Sequence, residues 1–267
     1  MAGSAFGALS PKEAFPKAKA AALRALELDA TLAEPYESLG WNSFIFDRNW
    51  KTAEDQFQRA LRLNPKYPDA RHSYSTFLSR MGRFDEAIQE VKRAQELDPL
   101  SLSGNSHVGL VLHMARRDDE AISWFRRVLD MDPNFLRAHW GLGLALGQKG
   151  NYGEAIAELQ RAVELSGGGA GQLGSLGYAY AIAGRRAEAL DVVEKLKKSS
   201  SEHYVPPATL AIVYSGLGEA DEALTWLEKA NEERDPWVTG LKVDPSFDSL
   251  RADPRFQDLL RRVGLPP

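Results

Sequence analysis

Apolar positions recur along the chain at a fixed interval of 34 residues. Six alanines carry this interval: Ala53, Ala87, Ala121, Ala155, Ala189 and Ala223. A larger hydrophobic residue follows each alanine after four positions, and a further apolar residue follows after seven, as Phe57 and Ala60 follow Ala53. Spacings of four and seven place side chains on one face of an α-helix. The pattern therefore predicts six copies of one amphipathic helix.

A second helix is predicted before each of these helices. A small residue lies twelve positions before five of the alanines: Ser75, Gly109, Gly143, Gly177 and Ala211. Antiparallel helices approach closely only where side chains are small, and this packing has to offset the cost of a helical glycine, about 1 kcal/mol relative to alanine. In the first copy the small residue is Gly40, thirteen positions before Ala53. We place the additional residue in the turn around residues 47–49.

Glycine and proline mark the ends of both helices. Four glycines lie five positions before an alanine of the series, where a left-handed residue ends the first helix: Gly82, Gly150, Gly184 and Gly218. Pro65, Pro99 and Pro133 follow the second helix, where a proline stops it. Each copy is thus a helix, a tight turn, a second helix and a short link.

A 34-residue period with these small-residue, alanine and proline positions resembles the tetratricopeptide repeat family. The resemblance implies an all-α chain, folded as a right-handed α-solenoid of helix-turn-helix hairpins. Six hairpins are expected over residues 33–237. Residues 1–32 hold an isolated second helix with Ala18, Ala22, Ala25 and Leu26 on its apolar face. Residues 238–267 form a C-terminal capping segment.

The capping segment carries its own helix signals. Asp253 and Pro254 are typical of a helix start, and Gly264 followed by Pro266 is typical of a helix end. Phe256, Leu259, Leu260 and Val263 are expected to cover the last hairpin, since terminal repeats need such a cover. This tail resembles the C-terminal region of large bacterial proteins in which such an array follows a winged-helix, serine/threonine kinase or nucleotide cyclase domain.

In the family, the first helices line the concave surface, so the resemblance implies a partner-binding groove. The candidate groove residues are Trp41, His72, Thr76, Arg80, His107, Leu110, His113, Arg137, Trp140, Leu144, Gln148 and Tyr178. Arg80 and Arg137 are the only basic groups in the inward columns, so the paired-lysine clamp of the family's chaperone-binding members is not expected. Aromatic, aliphatic and arginine side chains predict a protein or peptide ligand with apolar side chains. Alternatively, Trp140 and Tyr178 pack between adjacent hairpins.

Composition and spacing exclude several kinds of chemistry. The 267 residues contain no cysteine and carry a net charge of −4, so disulfides, thiolate chemistry and nucleic-acid binding are not predicted. No apolar run is long enough to cross a membrane, and residues 1–7 lack the pattern of a secretory signal. The five histidines show no metal-ligand spacing, and the glycine-rich residues 166–171 lack the lysine of a phosphate loop. No cofactor or metal is expected, and that glycine segment is interpreted as a flexible joint.

Two functional hypotheses remain. The first is a docking module that binds a protein segment, as the regulatory part of a larger bacterial signalling protein. The second is self-association through the N-terminal helix, around residues 12–29, whose apolar face lacks a partner hairpin. No nucleophile, base and orienting group occur together, so no catalytic residue is predicted and the chain is not expected to be an enzyme. We expect it in the cytoplasm, or in the periplasm if its parent protein is anchored in a membrane.

Overall fold

A computed structural model describes residues 9–265, and within them all regular structure is helical. The helices are α1 (Pro11–Leu28), α2 (Glu34–Trp41), α3 (Trp50–Leu63), α4 (Pro68–Arg80), α5 (Phe84–Leu97), α6 (Leu102–Met114), α7 (Asp118–Met131), α8 (Leu136–Gln148), α9 (Tyr152–Leu165), α10 (Ala170–Ile182), α11 (Arg186–Ser199), α12 (Pro207–Gly216), α13 (Ala220–Glu232) and α14 (Pro254–Val263). A π-helical turn (Asn42–Asp47) follows α2, and two 3₁₀ turns (Pro236–Gly240 and Pro245–Leu250) precede α14. The expectations for residues 1–7 and for Pro266 lie outside the described residues.

Successive helices pair as antiparallel hairpins, from α2 with α3 to α12 with α13. The first helices of neighbouring hairpins also contact one another, as α4 contacts α6 and α10 contacts α12. The first helices therefore form the inner layer of the array and the second helices form the outer layer. The all-α solenoid of helical hairpins expected from the 34-residue period is confirmed.

The small-residue column is explained by the large residue of the partner helix. A Cβ atom placed on Gly109 would lie 2.6 Å from Cε1 of Phe125, and one placed on Gly40 would lie 2.6 Å from Cε1 of Phe57. Both phenylalanine rings are fully buried. The ring of the second helix therefore rests directly on the backbone of the first, and burying it offsets the cost of the helical glycine.

The turn between the helices of a hairpin needs a left-handed residue. Gly82 and Gly150 adopt φ values of 79° and 81° there, as their positions in the sequence predict. In the first and third hairpins the same position holds Arg48 and Arg116, with φ values of 54° and 62°. A non-glycine residue pays about 1–2 kcal/mol for this conformation. Both arginines use their side chains for contacts across the molecule.

The additional residue of the first hairpin lies in the helix, so its expected place in the turn around residues 47–49 is corrected. The turn residue Arg48 keeps its standard position five residues before Ala53, and the π-helical turn just before it absorbs the extra residue. This turn binds α1. The side-chain Nδ2 of Asn42 donates to the carbonyl oxygen of Phe15 at 2.6 Å, and the ring of Phe46 stacks on Phe15 at 5.8 Å.

Helix α1 packs on α2 and on the π-helical turn through Phe15 and Ala22, which are buried. Ala18, expected on the same apolar face, is exposed. The side chains of Leu23 and Leu28 also remain accessible, with 48% and 74% of their surface exposed. The exposed side of α1 thus carries two accessible leucines among charged residues such as Lys17, Arg24 and Glu27.

Helix α14 packs against the last hairpin. Phe256 and Leu259 are fully buried against the core that surrounds α12 and α13, while Leu260 is half-buried. Two ion pairs flank this contact and link α14 to α13: Arg255 with Asp221, and Arg262 with Glu228. Since these pairs are exposed, most of the stabilisation comes from the buried apolar surface.

The two ends of the array contact each other. Arg48, which ends the first helix of the first hairpin, donates hydrogen bonds to Asn231 near the end of α13. The indole nitrogen of Trp50 donates to the carbonyl oxygen of Gly264, just after α14. We call this junction the seam. Through the seam the solenoid closes on itself.

Candidate partner-binding groove

The inner surface of the array divides into two rows along its length. Residues 236–250 cross this surface next to the C-terminal ends of the inner helices, and we call the part that they cover the covered row. The surface of α2, α4, α6 and α8 that this segment leaves uncovered is the remaining part, which we call the open row. The candidate groove residues fall into both rows, with different consequences for binding.

Arg80 lies in the covered row and is bound within the chain. Its Nη1 donates to the carbonyl oxygen of Pro236 at 2.8 Å and to the hydroxyl of Thr239 at 2.6 Å. Its guanidinium group also lies 5.7 Å from the centre of the Phe44 ring. Burial lowers the pKa of Arg80 to about 10, which still leaves it charged at neutral pH. Arg80 therefore binds the chain's own C-terminal segment and is not free to bind a partner.

Trp140 and Tyr178 take part in packing. The rings of Trp140 and Trp237 meet edge to face at 6.3 Å, and the indole nitrogen of Trp140 donates to the hydroxyl of Ser175 at 2.9 Å. Tyr178 is half-buried and lies against Gly216 of α12, and burial raises its pKa to about 12. These contacts favour the packing alternative considered for both aromatic residues.

His113 is also buried and does not face the open part of the groove. Only 3% of its surface is exposed, and its Nδ1 lies 2.6 Å from Oδ1 of Asp118, the first residue of α7. Three residues after His113, in the turn, the exposed Arg116 forms a two-pronged ion pair with Asp248 at 2.7 Å. Both contacts fix the third hairpin, one to its own second helix and the other to the C-terminal segment.

His72 and His107 lie side by side, with ring centres 5.1 Å apart. Nε2 of His107 is within 3.1 Å of the hydroxyl oxygens of Ser75 and Thr76. Burial lowers the pKa of both histidines, so both are neutral at physiological pH. This pair joins α4 to α6. Among residues 9–265 no group of three or more metal-ligating side chains comes together.

The open row keeps the side chains that a partner can reach. Trp41 is half-buried, and its indole nitrogen donates to the hydroxyl of Ser73 at 2.7 Å, which in turn donates to Glu37 at 2.5 Å. Burial raises the pKa of Glu37. Arg137 is exposed at the start of α8, and no described carboxylate pairs with it.

The remaining candidates do not all lie in the open row. Leu110 is half-buried in α6. Leu144 and Gln148 line a crevice together with Pro245 and Ser246, so they belong to the covered row. Glu34 and Asp69 are exposed at the positions of α2 and α4 that correspond to Arg137 in α8. The open row therefore changes from acidic at the first two hairpins to basic at the fourth.

Sequence reasoning missed the residues that cover the groove. One signal was available: three Asp-Pro pairs lie nine residues apart, at Asp235, Asp244 and Asp253. Each aspartate caps a short helical segment by accepting a hydrogen bond from the backbone nitrogen two residues later, at 2.8–3.0 Å. The large apolar residues between the pairs, including Trp237 and Phe247, have no outer hairpin to cover, so they pack into the inner surface.

Comparison with known families agrees with this geometry. Tetratricopeptide repeat models match residues 47–103, residues 78–134 and 125–170, and residues 208–229, which together amount to more than half of the chain. The chain belongs to the tetratricopeptide repeat family. Proteins of this family generally mediate protein–protein interactions and are typically scaffolds without enzymatic activity.

Solved structures show the same fold. A tetratricopeptide repeat protein from Parabacteroides merdae is 15% identical with a TM-score of 0.63, and the match covers 95% of this chain and 93% of that one. The type IV pilus biogenesis factor PilW is 17% identical with a TM-score of 0.57, covering 82% and 97%. The Cut9–Hcn1 complex of the APC/C is 17% identical with a TM-score of 0.62 over 94% of this chain, which spans less than half of the matched chain (46%). No curated protein matches the sequence. No helix within residues 9–265 is long and apolar enough to cross a membrane.

Proposed function

We propose that this tetratricopeptide repeat array binds a protein segment in its open row and serves as the docking module of a larger bacterial regulatory protein. The observation that carries the proposal is Arg137, an exposed arginine on a concave surface without a carboxylate partner among the described residues. Trp41 and Leu110 give the same surface half-buried apolar contact area. Arginine and tryptophan with surrounding aliphatic groups are typical of binding centres.

The charge gradient of the open row indicates the direction of the bound segment. Arg137 attracts an acidic side chain or a chain end with negative charge, while Glu34 and Asp69 attract a basic group at the first two hairpins. Trp140, Tyr178, Arg80 and His113 are left out of the contact surface because they hold the chain's own residues. A bound segment thus lies along the open row.

A pair of charge reversals tests the proposal. Arg137→Glu places a negative charge in the open row, and Lys92→Glu makes the same change at an exposed position of the outer helix α5. Affinity capture with quantitative mass spectrometry should recover the same partner with the wild type and with Lys92→Glu, and at least tenfold less with Arg137→Glu. Circular dichroism and the melting temperature should be unchanged in both variants. Equal recovery by both variants contradicts binding in the open row.

The exposed face of α1 supports a second candidate function, self-association of the parent protein. Leu23, Leu28 and Leu32 leave 40–74% of their surface accessible on or directly after this helix. If this face joins two copies, the double change Leu23→Glu and Leu28→Glu converts a dimer into a monomer in light scattering. A wild-type chain that stays monomeric at high concentration excludes this candidate without affecting the first.

A further inference from the structure

A polar crevice of about 440 Å³ opens at the seam where the two ends of the array meet. It is lined by Arg48, Asn231, Glu232, Arg234, Arg262 and Val263. Three of these six residues are arginines, and Glu232 is the only carboxylate among them. The crevice lies outside the open row, and neither the docking function nor the cap formed by α14 accounts for its charge.

Arg48 enters the crevice from the first hairpin. Its Nη1 donates to the side-chain oxygen of Asn231, and its Nη2 donates to the backbone carbonyl of the same residue at 3.3 Å. Its Nε is buried and has no acceptor within residues 9–265. Burial, together with the positive charge of Arg234, lowers the pKa of Arg48 to about 10. The Arg48 cation therefore stands beside a second cation, with no described carboxylate paired to it.

Arg234 enters from the other side of the seam, two residues after α13. Its backbone is left-handed with a φ of 59°, and its side chain is half-buried. In contrast to Arg262, which forms ion pairs with Glu228 and Asp258, Arg234 makes no ion pair with a described residue. Two neighbouring cations in a partly desolvated place repel each other unless an anion joins them.

We propose that this crevice binds a phosphate group between Arg48 and Arg234. Guanidinium groups offer paired N–H donors that match the oxygens of a phosphate, and charge-assisted hydrogen bonds of this kind are stronger than neutral ones. The phosphate neutralises the repulsion between the two arginines. Because Arg48 belongs to the first hairpin and Arg234 follows the last one, the bound group fastens the closed form of the solenoid.

Calorimetric titration of the full chain with inorganic phosphate at constant ionic strength tests the site. Saturable binding to one site is expected, together with a rise in melting temperature that potassium chloride at equal ionic strength does not produce. Arg234→Gln should weaken phosphate binding at least tenfold. Arg62→Gln is the matched control, since Arg62 is an exposed arginine in α3 without an ion pair among the described residues.

A second variant separates loss of binding from loss of folding. Arg234→Gly removes the guanidinium group and relieves the left-handed backbone, so it should lose phosphate binding while the ligand-free protein becomes no less stable. O-phosphoserine in place of inorganic phosphate tests whether the ligand is a phosphate ester or the free ion. The one of the two that resembles the natural ligand should bind more tightly. The proposal is overturned if phosphate shows no saturable binding, if Arg234→Gln and Arg62→Gln bind it equally, or if potassium chloride stabilises the protein as much.

Discussion

At the scale of single residues, Asp235 is the group whose charge state the fold controls most directly. It lies between α13 and the C-terminal segment with 1% of its surface exposed, and it accepts hydrogen bonds from the backbone nitrogens of Ala208 and Trp237, both at 3.0 Å. Burial raises its pKa from 3.8 to about 6, although these two hydrogen bonds lower it. The folded protein thus binds a proton here more tightly than the unfolded chain does.

Because the pKa of Asp235 is raised in the folded protein, the free energy of unfolding depends on pH. A carboxyl group with a raised pKa contributes its stability in the protonated form, so the contribution is full below about pH 4 and is lost as the pH rises through about 6. Relative to Asp235→Asn, the wild type should lose about 2 kcal/mol of unfolding free energy between pH 4 and pH 7. Urea unfolding of both proteins across this range measures the difference, and a difference that is constant with pH contradicts it.

The close contact at Gly109 gives a second prediction at this scale. Gly109→Ala brings a methyl group to within 2.6 Å of the buried Phe125 ring, so it should destabilise the protein by about 1–3 kcal/mol despite the better helix propensity of alanine. Gly153→Ala in α9 is the matched control, because no atom lies within 4 Å of the added carbon. This control should gain up to about 1 kcal/mol. Thermal unfolding compares the two, and equal effects would refute the packing argument.

At the scale of elements, the π-helical turn shows how one extra residue creates a binding place for α1. Asn42→Leu keeps the side-chain volume but removes the buried hydrogen bond to the carbonyl oxygen of Phe15, so it should release α1 at a cost of about 1–3 kcal/mol. Hydrogen exchange should speed up in α1 and stay unchanged in α8, since six helices lie between the two along the chain. Uniform acceleration along the chain would show that Asn42 stabilises the whole fold and not this one contact.

The helical hairpins could be predicted from the sequence because each depends on local spacing. Ala87, Val91 and Gly82 lie within one hairpin, and their positions determine its helix, its contact face and its turn. The spacing of thirteen residues between Gly40 and Ala53 showed that the first hairpin has one additional residue. The spacing did not show where that residue lies, because a helix absorbs an added residue as readily as a turn does. The covered row could not be predicted from the 34-residue period, since it depends on residues 236–250, which lie outside the repeats.

At the scale of the whole molecule, Arg80 connects the second hairpin to the C-terminal segment. Arg80→Met removes two hydrogen bonds to residues 236 and 239 and should loosen this segment. Trypsin should then cleave faster after Lys242 and Arg251, which are half-buried in the folded protein. Arg83→Met is the control, because its ion pairs with Glu54 and Glu86 stay near the protein surface and away from the segment. Equal cleavage of both variants would show that Arg80 does not hold the segment.

The seam also changes how the array unfolds. In an open solenoid each repeat depends only on its neighbours, so the terminal repeats fray first and unfolding spreads inward. Here the contacts of Arg48 with Asn231 and of Trp50 with Gly264 give the terminal helices neighbours on both sides. These contacts join residues about 180 to 210 positions apart, so folding has to close a very long loop before they stabilise it. The closed arrangement thus exchanges fast, stepwise folding for more cooperative folding of the hairpins that the seam joins.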